Sequence, residues 1–192
     1  MFSGSTQGVT DDNVPAGNPF NTPNLTRELV YASQTFIAYS EDLPSMGFNG
    51  VTSGNCARKH NPVANWVDTG TNQVSDSTSR PFTDFPADFN TLPTVSYIVS
   101  NLNGDMHNFS IPTGDTWLNT HLAGYINRVK AHNSLLLLTF DEDDLVHDNN
   151  IVTIFYGPMV KGGPYSNGIY LYRLVDAENN AVTGKSLNNV KP

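Results

Sequence analysis

The sequence predicts an α/β fold built on parallel strands, and three observations carry that prediction. Two apolar runs of strand length, Thr94-Val-Ser-Tyr-Ile-Val99 and Ser134-Leu-Leu-Leu-Leu-Thr-Phe140, flank one amphipathic stretch of helical period. Continuous apolar runs of this kind read as strands buried on both faces. The strand–helix–strand order over residues 94–140 is a βαβ unit, which implies parallel strands joined by a right-handed crossover. Finally, the runs end in polar segments, Asn101-Leu-Asn-Gly-Asp105-Met-His107 and Asp141-Glu142-Asp143-Asp144. Open α/β sheets bind their ligands beyond the carboxyl ends of their strands.

Taken in order, the first 20 residues are turn-like, with Ser3-Gly4-Ser5, Asp11-Asp12-Asn13 and Pro15-Ala-Gly-Asn-Pro19. Thr22-Pro23 predicts a helix N-cap followed by proline at the first helical position, and the helix runs to about Ser33. Thr35-Phe-Ile-Ala-Tyr39 reads as a short buried strand ending at Ser40-Glu41-Asp42. Residues 43–93 are irregular and rich in Gly, Asn, Ser and Pro. A stretch this long inside one domain is functional or hides short elements. Thr113-Gly-Asp115 opens the clearest helix, whose Leu118, Leu122, Tyr125 and Val129 form one apolar stripe ending near His132-Asn133. Ile151-Val-Thr-Ile-Phe155 is a fourth strand, stopped by Gly157-Pro158.

A chain of 192 residues is long enough for one domain with a real core and short for two, so residues 1–192 are expected to form a single domain. The net charge of −8 argues against a general nucleic-acid binder, which needs basic surface to neutralise phosphates. It does not argue against one anionic substrate, because a bound metal inverts the local field. The single cysteine, Cys56, cannot form an internal disulfide and reads as a packing residue. No stretch approaches the roughly 20 apolar residues of a membrane span, and Met1 opens no signal peptide.

The chemistry concentrates at the strand ends. Four carboxylates packed at 141–144 repel one another unless a cation offsets them. Oxygen ligands suit Mg²⁺, Ca²⁺ or Mn²⁺, although the same run also reads as a solvated turn. An EF-hand fails on spacing, because Leu145 and Val146 stand where a ligand and a glycine are needed. The βαβ geometry would bring Asp105 and His107 toward Asp141 and Glu142. His107 is then a ligand or a general acid, imidazole being a group that titrates near neutral pH. Lys59-His60 offers two donors for an anion, or simply a solvated loop. His121 and His132 read as surface residues, and His147 as a weak candidate.

Seven segments, in order, resemble the bacterial-type phosphoesterase family. They are Phe2-Ser-Gly-Ser-Thr-Gln-Gly8, Tyr39-Ser-Glu-Asp-Leu-Pro-Ser45, Arg58-Lys-His-Asn-Pro62, Asn101-Leu-Asn-Gly-Asp-Met-His107, Ile111-Pro-Thr-Gly-Asp-Thr-Trp117, Leu138-Thr-Phe-Asp-Glu-Asp-Asp144 and Phe155-Tyr-Gly-Pro-Met-Val160. That family holds acid phosphatases and phospholipase C-like enzymes within the alkaline phosphatase-like superfamily. The resemblance implies an α/β/α sandwich around a mostly parallel sheet, and metal-assisted hydrolysis of phosphate esters. It implies that Asp141, Glu142 and Asp105 bind a divalent metal ion, that His107 is catalytic, and that His60, with Lys59, faces the substrate phosphate. The implied partner is a small phosphate ester or a lipid headgroup, with a phosphomonoester preferred.

The departures from the family pattern are as specific. A metal-binding Glu-Asn pair and a Ser or Thr nucleophile are expected upstream of the segment that here begins at Phe2, and neither is present. After Ser166 the family expects an Asn-His-Tyr motif, and Leu171 stands where its histidine would be. The expectation is therefore a chain whose first strand and nucleophile segment are missing. Two readings follow: a phosphomonoesterase by family, or an inactive truncated remnant that keeps part of a metal- and phosphate-binding surface. Secretion or a periplasmic location is common in the family, but nothing in this chain shows either.

Overall fold

The computed structural model describes residues 2–142 and 151–160, together with the backbone of two strands at 169–175 and 181–187. The chain divides into two compact units, residues 1–125 and 126–192. Parallel pairing and flanking helices in the first unit make the fold α/β, as the sequence predicts.

Three parallel strands form the sheet of the first unit. β1 (Phe36–Ser40) lies between β4 (Ser79–Pro81) and β5 (Val95–Val99). Phe36 pairs with Val95 and Ser40 with Val99, and on the other side Ala38 pairs with Ser79. The start of the β1–β5 ladder is reinforced by two threonines: Thr94 N donates to Thr35 Oγ1 (2.8 Å) and Thr35 N to Thr94 Oγ1 (3.3 Å).

Alternation along β1 sends Phe36 and Ala38 to one face. There they join Phe2, Phe20, Val63, Trp66, Val67 and Val74 in the main core, with Leu25 and Leu29 of α1 (Leu25–Tyr31) packed alongside. Trp66 is the centre of this cluster, with its ring 5.2 Å from Phe2 and 5.1 Å from Phe20. Its indole N–H, which burial would otherwise leave unpaired, donates to Thr22 O. Tyr39 points to the opposite face and meets Phe85. From Phe85 the rings continue through Phe89 to Tyr125 and through Phe82 to Trp117, both on α2 (Ile111–Val129).

The helix boundaries differ from expectation for local reasons. Asn24, not Thr22, caps α1, accepting from Arg27 N through its side chain while its amide donates to Asn72 O. One residue with two tasks, buried between a helix and a loop, outcompetes a threonine that serves neither. The helix closes with Ser33 in the left-handed region (φ 59°) and Gln34 N bonded back to Leu29 O. α2 starts two residues before the predicted Thr113, with Pro112 in its first turn, where a missing N–H costs nothing. Its stripe is as expected, with Leu122 and Val129 buried.

Residues 43–93 contain short elements that pattern reading misses. These are the two-residue strands β2 (Thr52–Ser53) and β3 (Cys56–Ala57), β4, and five 3-10 turns. Several turns are closed by a side chain on its own backbone: Asn61 to Val63 N, Ser75 to Ser77 N, Asp88 to Asn90 N.

In the second unit, β6 (Leu136–Thr139) pairs antiparallel with β7 (Thr153–Tyr156), Leu136 opposite Tyr156 and Thr139 opposite Thr153. The sequence reads β6 and β7 as strands and leaves their antiparallel pairing open. A continuous apolar run says that a strand is wanted but not which way its neighbour runs. Nor is β6 buried on both faces, since Leu137 is exposed. β8 (Ile169–Val175) and β9 (Ala181–Leu187) form a second antiparallel pair, Ile169 opposite Leu187 and Val175 opposite Ala181.

Candidate active site

The loop after β5 is built around Asn101. Its side-chain oxygen accepts from Asn103 N (3.0 Å) and Gly104 N (3.1 Å), and its carbonyl accepts from Asp105 N (3.0 Å). Its amide donates to Asp42 Oδ2 (2.8 Å), which anchors the loop to the end of β1. Glu41 adds a second anchor, because its Oε2 accepts from Asn101 N (3.0 Å) and from Trp117 Nε1 (2.7 Å). Strand β1, loop and helix α2 therefore meet at one carboxylate oxygen. Sequence reading found carboxylates at the end of β1 but not this task.

Two close approaches hold the loop's shape. A Cβ on Gly104 would stand 2.7 Å from Trp117 Cδ1, and one on Gly114 would stand 2.6 Å from Met106 Cγ. Met106 itself takes a left-handed conformation (φ 74°), turning the chain so that Asp105 Oδ1 accepts from His107 N (2.8 Å).

His60 reaches this loop from a separate element, the 3-10 turn Arg58–His60. Arg58 and Asn61 on either side are buried structural residues. Arg58 donates to Ala64 O, and burial pulls its guanidinium below the ordinary arginine value. Asn61 donates to Ser79 Oγ, tying the turn to β4. With its neighbours turned inward, His60 presents Nδ1 2.8 Å from Asp105 Oδ2, and its ring lies 6.0 Å from that of His107. The His60–Asp105 contact has the distance of an ion pair without the alignment of a hydrogen bond, so Asp105 Oδ2 is buried with no hydrogen-bond donor among the described residues.

Lys59 stands at the rim. Its Nζ is 2.6 Å from Asp12 Oδ2, on the N-terminal loop. Asp12 is held below the usual carboxylate range, first by the hydrogen bond from Lys59, then by its charge, with smaller contributions from His60 and His107. Sequence reading missed Asp12, which lies 47 residues from Lys59 and carries no local signal.

Four predicted site residues thus come together: Lys59, His60, Asp105 and His107. Asp141 and Glu142 belong to the second unit, where they are exposed directly after β6 and Phe140. Asp143, Asp144 and His147 lie outside the described residues. Among the described residues no three His, Cys, Asp or Glu side chains converge as a metal ion would require. His121, predicted as a surface residue, is half-buried between Trp117 and Phe82 and makes a 2.9 Å contact from Nδ1 to Trp117 O. Cys56 is buried, as expected for a packing role, and burial pushes its thiol up, helped by Asp42.

A family model described as the phosphoesterase family matches residues 1–172. The chain belongs to the phosphoesterase family. It is 42% identical over 177 residues to the phosphatidylinositol-3-phosphatase of Mycobacterium tuberculosis, covering 91% of this chain and 57% of that protein. It is 30% identical over 157 residues to an acid phosphatase of Aspergillus fumigatus, covering 77% of this chain and 35% of that one. A phosphate-repressible acid phosphatase of Penicillium chrysogenum is 34% identical over 130 residues, 61% of this chain and 30% of that one. The chain therefore spans between about a third and three-fifths of these phosphatases. No solved structure matches it.

Proposed function

We propose that this chain carries the phosphate-holding part of a metal-dependent phosphomonoesterase site. The carrying observation is the cluster of His60, Asp105 and His107 bounded by Lys59. It sets two imidazoles by the Asp105 carboxylate after strand β5 of a parallel sheet, with the Lys59 ammonium at the rim against Asp12. Lys59 and His60 hold the phosphate, and His107 gives a proton to the leaving oxygen. The related phosphatases supply the substrate class, a phosphate monoester on a small molecule or on a lipid headgroup.

Asp105 fits a divalent cation, because its Oδ2 is buried, lacks a donor among the described residues and sits against an imidazole nitrogen, a mixed oxygen and nitrogen set. Asp141 and Glu142 stay metal-ligand candidates on the family resemblance alone. When bound, such an ion polarises a phosphoryl oxygen and offsets developing charge.

A second reading is binding without turnover. The hydroxyls of Ser3, Ser5 and Thr6 are engaged in their own turns, Ser3 Oγ donating to Ser5 O, Ser5 Oγ accepting from Gln7 N and Thr6 Oγ1 from Gly8 N. None of them is presented as a nucleophile.

The deciding experiment measures aryl phosphate hydrolysis from pH 5 to 9 with Mg²⁺, Ca²⁺, Mn²⁺ or chelator, beside Asp141→Ala and His107→Ala, with Mn²⁺ binding followed in parallel. Metal-dependent turnover lost in both variants supports the esterase. Mn²⁺ and phosphate binding without turnover supports the second reading, and binding of neither refutes both.

A further inference from the structure

The N-terminal loop places a carboxylate where the proposed site would take a phosphate. Residues 8–14 are all exposed, and the loop is shaped by two local bonds, Val9 N to Thr6 O and Asn13 N to Asp11 Oδ1. From this loop Asp12 reaches Lys59 Nζ at 2.6 Å, with the Asp12 side chain 79% exposed and the Lys59 side chain 33%. Asp12 also feels the charges of His60 and His107, so its carboxylate lies within the field of all three groups assigned to the phosphate and its leaving oxygen.

We infer that Asp12 is an internal anion that occupies the Lys59 side of the phosphate cradle and must be displaced before a phosphate can bind there. The inference rests on the reading of Lys59 and His60 as phosphate-holding groups.

Two physical features make the exchange feasible. The bond is short and charge-assisted, so it specifies where the loop rests, yet both partners reach solvent and an exposed ion pair holds only a weak preference. A phosphate monoester brings a charge of about −1.5 to −2 and three acceptor oxygens, against a single charge on a carboxylate. Lys59 therefore gains by the exchange, and Asp12 is released to water, which already surrounds most of it. In the free protein the same contact shields Lys59 from casual anions. The loop acts as a weak internal competitor, lowering affinity for every anion by the fraction of time that it is docked.

The test compares wild type, Asp12→Asn and Lys59→Ala in two measurements, inorganic phosphate binding followed by ³¹P NMR titration and backbone order parameters of residues 9–13. Asp12→Asn should bind phosphate about two- to fivefold more tightly, the ratio that an exposed ion pair can hold. Its loop should be more disordered without ligand, and saturating phosphate should loosen the wild-type loop to the same degree. Lys59→Ala should free the loop and weaken phosphate binding. If wild type binds phosphate but Asp12→Asn binds equally or less tightly, Asp12 positions Lys59 rather than competing with phosphate. This inference then falls while the site reading stands. An Asp12→Asn loop as ordered as wild type overturns the inference in the same way. If no variant binds phosphate although Asp12→Asn frees the loop, the phosphate reading fails and takes the inference with it.

Discussion

Replacing Glu41 by alanine removes one oxygen from two donors at once. Asn101 N–H and Trp117 Nε1–H both point at Glu41 Oε2, at 3.0 and 2.7 Å, and neither is replaced by water without rearrangement because the site is half-buried. A hydrogen bond to a charged acceptor contributes about 1.5–3 kcal/mol when buried. Partial exposure puts each of these at or below the lower end of that range. Glu41→Ala should therefore destabilise the protein by about 2–3 kcal/mol. Urea unfolding followed by far-UV circular dichroism would measure this, with an unchanged slope confirming that the denatured state is not the cause. Glu41→Gln keeps an acceptor oxygen of the same reach and should recover at least half of the loss. Trp117→Phe removes one of the two donors, so combining it with Glu41→Ala should cost less than the sum of the two. A loss below about 0.5 kcal/mol for Glu41→Ala, or a Gln variant as damaged as the Ala one, would refute the argument that this oxygen joins strand, loop and helix.

Two further predictions follow from the same region. Gly104→Ala drives a Cβ into Trp117, which cannot swing away without leaving Glu41, so we expect about 1–3 kcal/mol of destabilisation and weaker phosphate binding. Urea unfolding and ³¹P titration of the variant would show both, and a neutral result would mean that the indole yields freely. The Cys56 thiol is raised above its ordinary value of 9.0, chiefly by burial, so the folded state holds this proton more tightly than the unfolded one. Its contribution is then fully present below pH 9 and is lost as pH rises through the folded value. Cys56→Ser should flatten that alkaline decline in stability, and fast stoichiometric labelling of the native thiol near neutral pH would contradict the burial on which this rests.

The elements that read clearly in the sequence are those whose own residues decide them. β1 and β5 are apolar runs, and α2 carries a stripe from Leu118 to Val129 that any core would bury. β4 had no such signal. Ser79-Arg80-Pro81 is polar and ends in proline, which an edge strand tolerates, and it is a strand because β1 offers it a free edge. β6 was legible as a strand and illegible in its direction, since Leu136–Thr139 would serve either kind of ladder. At the candidate site, Asp105 and His107 stand out in the sequence because they follow a strand and lie two residues apart. The approach of His60 depends on Arg58 and Asn61 being buried, and the contact of Asp12 on a loop folding back. Both are tertiary facts that no local pattern encodes.

The threonine pair at the start of the β1–β5 ladder and the Glu41 anchor beyond its end are the two ends of one ruler. Five paired positions, about 17 Å of strand, separate them. Because side chains on a strand alternate between faces, an offset of a single residue would turn Glu41 away from Asn101 and Trp117. The hydroxyls of Thr35 and Thr94 bond to each other's backbone and, from Thr94, to Gln34, yet they help gauge whether a carboxylate far from them meets its two donors. Alignment of the site is thus partly measured out at the opposite edge of the sheet.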